Sequence, residues 1–123
     1  MLIKAIDHVQ LAMPPGGEDK ARSFYRDVLG LPEVRKPSRL AGRGGVWFER
    51  GNLKLHLGVE KEFRPARKAH VALIVEQLSV LAARLKAAGF PLIDNDVQPE
   101  CLRLYTEDPF GNRIELLEPC SAS

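Results

Sequence analysis

Four side chains in this sequence are of kinds that carry chemistry, and they recur at matched places. His8 and His70 stand at the opening of two strand-like runs, residues 6–12 and 70–75. His56 and Glu115 lie inside two later runs, residues 53–59 and 113–117. The chain has only three histidines, and all three belong to this set. Imidazole and carboxylate groups hold protons near neutral pH and ligate divalent ions. Any one such histidine, taken alone, also reads as a solvated or hydrogen-bonded side chain on the polar face of a strand. The set, placed twice in the same way, is the signal.

Side chains alternate faces along a strand, which says where the four point. Leu53, Leu55, Leu57 and Val59 share one face of their run, and His56 lies on the other. Ile114 and Leu116 share a face opposite Glu115. Val9 and Leu11 lie opposite His8 and Gln10, and Val71, Leu73 and Val75 lie opposite His70. Helices need an aliphatic sheet face to pack on. The four functional candidates therefore project from the opposite face.

The elements that would position them form a repeat. A strand at 6–12 is followed by the turn Pro14-Pro15-Gly16-Gly17 and a helix from about 18 to 29. Ala21, Phe24, Tyr25, Val28 and Leu29 make its apolar face, and Gly30 stops it. Strand-like pieces follow near 33–35, 45–49 and 53–59. The second half begins again with a strand at 70–75. A helix at 78–88 has Leu78, Leu81, Ala82 and Leu85 on one face and ends at Gly89. Strand-like pieces follow near 92–93, 101–106 and 113–117, the last two joined by Asp108-Pro109-Phe110-Gly111-Asn112. The expectation is an α+β fold of two βαβββ modules whose strands form a curved mixed sheet, with helices on the outer face.

The composition excludes several classes. At 123 residues the chain is long enough for one domain and too short for two. Its formal net charge of +2 does not favour a nucleic-acid or membrane partner. No apolar run approaches the roughly 20 residues needed to cross a bilayer. No signal-peptide pattern opens the chain, so a cytoplasmic location is expected. Cys101 and Cys120 do not form a metal or redox spacing and read as reduced thiols.

The segments Asp7-His8-Val9-Gln10-Leu11, Phe24-Tyr25-Arg26-Asp27-Val28-Leu29-Gly30-Leu31 and Leu55-His56-Leu57 resemble the first module of the glyoxalase/bleomycin-resistance/extradiol-dioxygenase superfamily, also called the vicinal-oxygen-chelate superfamily. Residues 69–75 and the segment Asp108-Pro109-Phe110-Gly111-Asn112-Arg113-Ile114-Glu115-Leu116-Leu117 resemble the second. The resemblance covers nearly the whole chain. It implies a single domain over 1–123, with module one at about 1–60, a linker at 61–69 and module two at about 70–119.

The resemblance further implies a divalent metal ion, Zn, Ni, Co, Mn or Fe, held by His8, His70 and Glu115. His56 is then a fourth ligand or a general base, and Glu115 and His56 are the catalytic candidates. The implied activity is that of a glyoxalase-like lyase or isomerase acting on a small oxygen-chelating substrate in a homodimer. A metal-free small-ligand binding protein of the resistance type is one alternative. An Fe(II)-dependent dioxygenase is another, since two histidines and a carboxylate resemble its facial triad. The chain departs from glyoxalase I at His56, where that enzyme has a carboxylate.

Other residues complete the expectation. Arg35, Lys36, Arg39 and Arg43 in the first half, and Arg64, Arg67 and Lys68 between the halves, either meet an anionic group or form solvated loop surface. Residues 42–45 read as a flexible loop. Trp47 and Phe48 face opposite sides, so one of them borders the site. Tyr105 and Arg103 are further candidates for its wall.

Overall fold

The computed structural model describes residues 1–98 and 101–120, with the backbone alone at 94–98 and 101. The Cys101 thiol thus lies outside the described side chains, while Cys120 is exposed. Two compact units divide the chain, Met1–Arg64 and the remainder from Pro65 onward.

Each unit runs strand, helix, then three strands. In the first, β1 is Val9–Met13, and α1 is Glu18–Ala21 continuing into a π-helical stretch, Arg22–Val28. Strands β2, β3 and β4 are Glu33–Val34, Val46–Arg50 and Leu53–Val59. In the second, β5 is Val71–Ile74, α2 is Leu78–Ala87, and β6, β7 and β8 are Ile93–Gln98, Cys101–Glu107 and Arg113–Pro119. The sheet orders are β1-β4-β3-β2 and β5-β8-β7-β6. In each sheet the opening strand lies parallel to the last one, and the remaining pairs are antiparallel. The α+β class and the repeated βαβββ order are as the sequence predicts.

The alternation works as read. Leu55 and Leu57 are about 1% exposed, and Phe48, which faces Leu55 across the ladder, is fully buried. Tyr25 of the helix packs on Phe48 with ring centroids 5.5 Å apart. Removing side chains of this size from water stabilises the fold by ~1.5–3 kcal/mol each. The helix thereby claims the Phe48 and Leu55 face and leaves the Trp47 and His56 face of the same strands to the site. In the second unit Leu73, Leu85, Leu104, Ile114 and Leu116 are buried. Glu118, on the Ile114 and Leu116 face of β8, accepts the Leu78 N–H at 2.7 Å and so caps α2.

The structure adds four local particulars. The first helix widens after Ala21: the Leu29 N–H reaches back five residues to the Phe24 carbonyl. A regular α-helix would turn two consecutive residues about 100° apart. The wider coil takes both Phe24 and Tyr25 into the core, at 0% exposure. The opening strands start at Val9 and Val71, so His8 and His70 each stand one residue before the ladder. Residues 1–8 are exposed and run outside the sheet.

Of the expected loop at 42–45, Gly42 and Arg43 end a 3₁₀ helix, Ser38–Arg43, and Gly44 and Gly45 follow at positive φ. A Cβ on Gly45 would fall on the Leu57 carbonyl oxygen, so glycine is required there. Part of the expected linker belongs to the second unit. The Ala66 N–H donates to Asn112 Oδ1 at 3.0 Å, and Asp108 Oδ1 accepts from Phe110 and Asn112 N–H at 2.9 Å each. None of the described helices is long and apolar enough to cross a membrane.

Candidate functional site

His56 sits on β4, 4% exposed, directly across from Trp47 on β3. The two rings are parallel, with centroids 3.9 Å apart and planes 2° apart. His8 stacks on the same imidazole at 4.6 Å and 23°. Because β1 and β3 flank β4 on opposite sides, His8 and Trp47 take opposite faces of the ring. The ring is therefore fixed in plane, and its chemistry is confined to its two nitrogens.

One of those nitrogens is spoken for. His56 Nε2 lies 2.7 Å from Glu49 Oε2, and a carboxylate can only accept, so Nε2 donates. His8 Nδ1 likewise donates to Asp7 Oδ2 at 2.9 Å. That bond, joined by the Lys54 ammonium 3.7 Å away, holds the Asp7 carboxyl below the usual carboxylate range.

In the second unit His70 Nδ1 donates to the Lys68 carbonyl at 2.9 Å. Its Nε2 faces Glu115 Oε1 at 2.8 Å. The other carboxylate oxygen of Glu115 lies 3.1 Å from Arg103 Nε, whose N–H is not aimed along a hydrogen bond. Tyr105 is directly across from Glu115, as Trp47 is across from His56. Its ring meets His70 edge-on at 5.5 Å, and the Arg113 guanidinium lies 4.1 Å over it. The site-facing positions of β3–β4 and β7–β8 thus correspond pair by pair.

The structure accordingly brings His8 together with His56, and His70 together with Glu115. Among the described residues, no group of three or more His, Cys, Asp or Glu side chains gathers as one metal-holding cluster. Trp47 is the member of its pair that borders the site, and Phe48 is core. Arg103 and Tyr105 both reach the His70–Glu115 pair. Glu49 is the site residue that reading the sequence missed. Its signal was parity: it lies two residues from Trp47 and shares its face. Gln10, directly across from His56 on β1, is a second polar group on this face.

Residues 5–116 match the family model of the glyoxalase/bleomycin resistance protein/dioxygenase superfamily. The crystal structure of a glyoxalase family protein from Bacillus anthracis is 44% identical, with a TM-score of 0.90, over 97% of this chain and 98% of that one. Lactoylglutathione lyase from Agrobacterium tumefaciens is 23% identical, with a TM-score of 0.73, over 94% of each chain. An antibiotic binding protein from a Streptomyces species is 21% identical, with a TM-score of 0.73, over 97% of this chain and 98% of that one. The last two likenesses are of fold alone. No curated protein sequence matches the chain. With its residues 5–116 matched to the family model and its fold shared with these structures, the chain belongs to the glyoxalase/bleomycin resistance protein/dioxygenase superfamily.

Proposed function

We propose that the protein is a metal-dependent lyase or isomerase of the glyoxalase type, acting as a homodimer on a small oxygen-chelating substrate. One divalent ion is held by His8, His70 and Glu115, with His56 as a fourth ligand or a general base. The observation that carries this is the His70–Glu115 contact. His70 Nδ1 donates to the Lys68 carbonyl, and its Nε2 lies 2.8 Å from a Glu115 carboxylate oxygen; with Nε2 unprotonated, ring and carboxylate would both be acceptors. Two acceptors this close call for a cation, either a proton or a metal ion.

The donor chemistry fits a metal. Histidines that ligate metals as a rule donate their second ring nitrogen to a carboxylate or backbone carbonyl. Here His8 has Asp7, His56 has Glu49 and His70 has Lys68, which leaves one nitrogen of each ring for another purpose. Imidazole and carboxylate suit Zn, Ni, Co, Mn or Fe(II). Such an ion, when bound, stabilises negative charge developing on substrate oxygens.

The chain's own groups supply proton transfer. His56 presents Nδ1 as a base, and Glu49 compensates the positive charge that a captured proton would bring into a buried ring. Glu115 is a second proton carrier, with Arg103 beside its far oxygen. Elemental mass spectrometry of untagged wild-type and His70→Ala protein tests the reading. Near-stoichiometric metal that is lost in the variant supports it. Protein that takes up none of Ni, Zn, Co, Mn or Fe(II) on titration overturns it.

A further inference from the structure

The first unit contains an open cleft of about 540 Å³, bordered by Arg35, Lys36, Ala41, Val34, Val46 and Trp47. Glu33 and Arg22 also reach it, but their charges are spent on one another at 2.9 Å. Arg22 is further tied to Asp19 at 2.9 Å, and Glu33 lies 3.7 Å from Arg26. Two cations remain. Arg35 has no side-chain partner among the described residues, and the Lys36 ammonium rests on a neutral group, the Gly44 carbonyl. Neither cation makes an ion pair among the described residues, and the Glu18 carboxylate beside them is engaged by the Gly45 N–H at 2.9 Å; both cations stand beside an apolar wall that ends in Trp47. That indole is the ring stacked on His56.

We infer that this cleft binds the anionic end of a small organic acid, a carboxylate or a phosphate, whose apolar body lies against Val34 and Trp47. Arg35 offers a planar fork of donors that matches either oxyanion, and Lys36 adds a point charge. The ligand's body then leads along Trp47 toward His56, which names a substrate class for the reaction proposed above. The substrate assignment rests on that reading, whereas anion binding in the cleft does not.

Trp47 is the only tryptophan in the chain, so intrinsic fluorescence reports on this cleft. The protein, treated with EDTA and held at constant ionic strength, is titrated with inorganic phosphate, with benzoate and with neutral benzamide. A saturable change with phosphate or benzoate and none with benzamide is expected, and the stronger of the two anions identifies the oxyanion. Arg35→Gln/Lys36→Gln should weaken binding at least tenfold. Arg35→Gln alone, which leaves the Lys36 contact to Gly44 intact, should also weaken it. Arg39→Gln/Arg43→Gln removes the same charge from outside the cleft and should leave it unchanged. No saturable response to either anion overturns the site, as does an equal loss in the Arg39/Arg43 variant. Metal uptake, measured separately, fails or succeeds independently, so loss of one reading is distinguishable from loss of the other.

Discussion

His70, one residue before β5, meets Glu115 of β8 at 2.8 Å, with the Nδ1 proton of His70 already committed to the Lys68 carbonyl. The pair therefore discriminates between cation binding and ordinary packing. Glu115→Gln keeps the side chain's size and gives Nε2 an N–H donor, so the fold should be retained. A neutral amide is a poor ligand for Zn or Ni. Metal affinity is expected to fall by about 100-fold or more, at least the loss typical of disturbing a ligand's supporting shell. Calorimetric titration with each ion checks this. Unchanged affinity in a folded Glu115→Gln protein would remove Glu115 from the ligand set.

Glu49 predicts a subtler effect through His56. The Glu49→Gln amide can still meet Nε2, either by its oxygen or, after a flip, by its nitrogen. The flipped form would drive the proton to Nδ1, the nitrogen proposed for metal or base duty. We expect metal affinity or turnover to drop by about 10–100-fold. Asp7→Asn should do less, because Asp7 is exposed and shares its charge with Lys54. Comparing the two variants by metal titration and circular dichroism tests the assignment. Equal effects would show that Glu49 has no special hold on His56.

Much of this arrangement was legible in the residues. Strict alternation in β4 and β8 put His56 and Glu115 on the face away from Leu55, Leu57, Ile114 and Leu116, because a period of two admits only two faces. Three things were not legible. Periodicity placed Phe24 and Tyr25 on the apolar face, but it cannot separate a π-helical coil from an α-helix over one or two turns, so the widening after Ala21 was hidden. A strand's first residue is set by its ladder partner, and Val9 pairs with Leu55 while His8 precedes the ladder. Glu49 was overlooked for a different reason. A lone glutamate near a strand end reads as solvated until the register places it diagonally from His56.

Two glycines beside the site should respond in opposite ways to the same methyl group. At Gly45, with φ +89°, alanine is strained, and its Cβ meets the Leu57 backbone carbonyl, which cannot move cheaply. Gly45→Ala is expected to cost ~1–3 kcal/mol. At Gly58 the obstacle is the Gln10 side-chain amide, 2.5 Å from where the Cβ would be. That amide can swing aside, so Gly58→Ala should stay within about 1 kcal/mol of wild type. It should instead displace Gln10 from the His56 face, read as shifted side-chain amide signals in NMR spectra. A Gly45→Ala protein with wild-type thermal stability would contradict the backbone described here.

Trp47 and Phe48 are adjacent in sequence and serve opposite sides of β3. Phe48 is fully buried between Tyr25 and Leu55. Phe48→Ala should destabilise the protein by ~3–5 kcal/mol through lost burial and the cavity left behind. Metal affinity of the folded fraction should be preserved, because Phe48 faces the core side of β3. Trp47 is only half-buried, and its parallel contact holds the His56 ring in plane. Trp47→Leu should cost less stability than Phe48→Ala, yet lower metal affinity or turnover by freeing the imidazole to tilt. Denaturant melts and metal titrations on both variants separate the two roles. If Phe48→Ala lost metal binding while Trp47→Leu retained it, the division of β3 into a core face and a site face would be wrong.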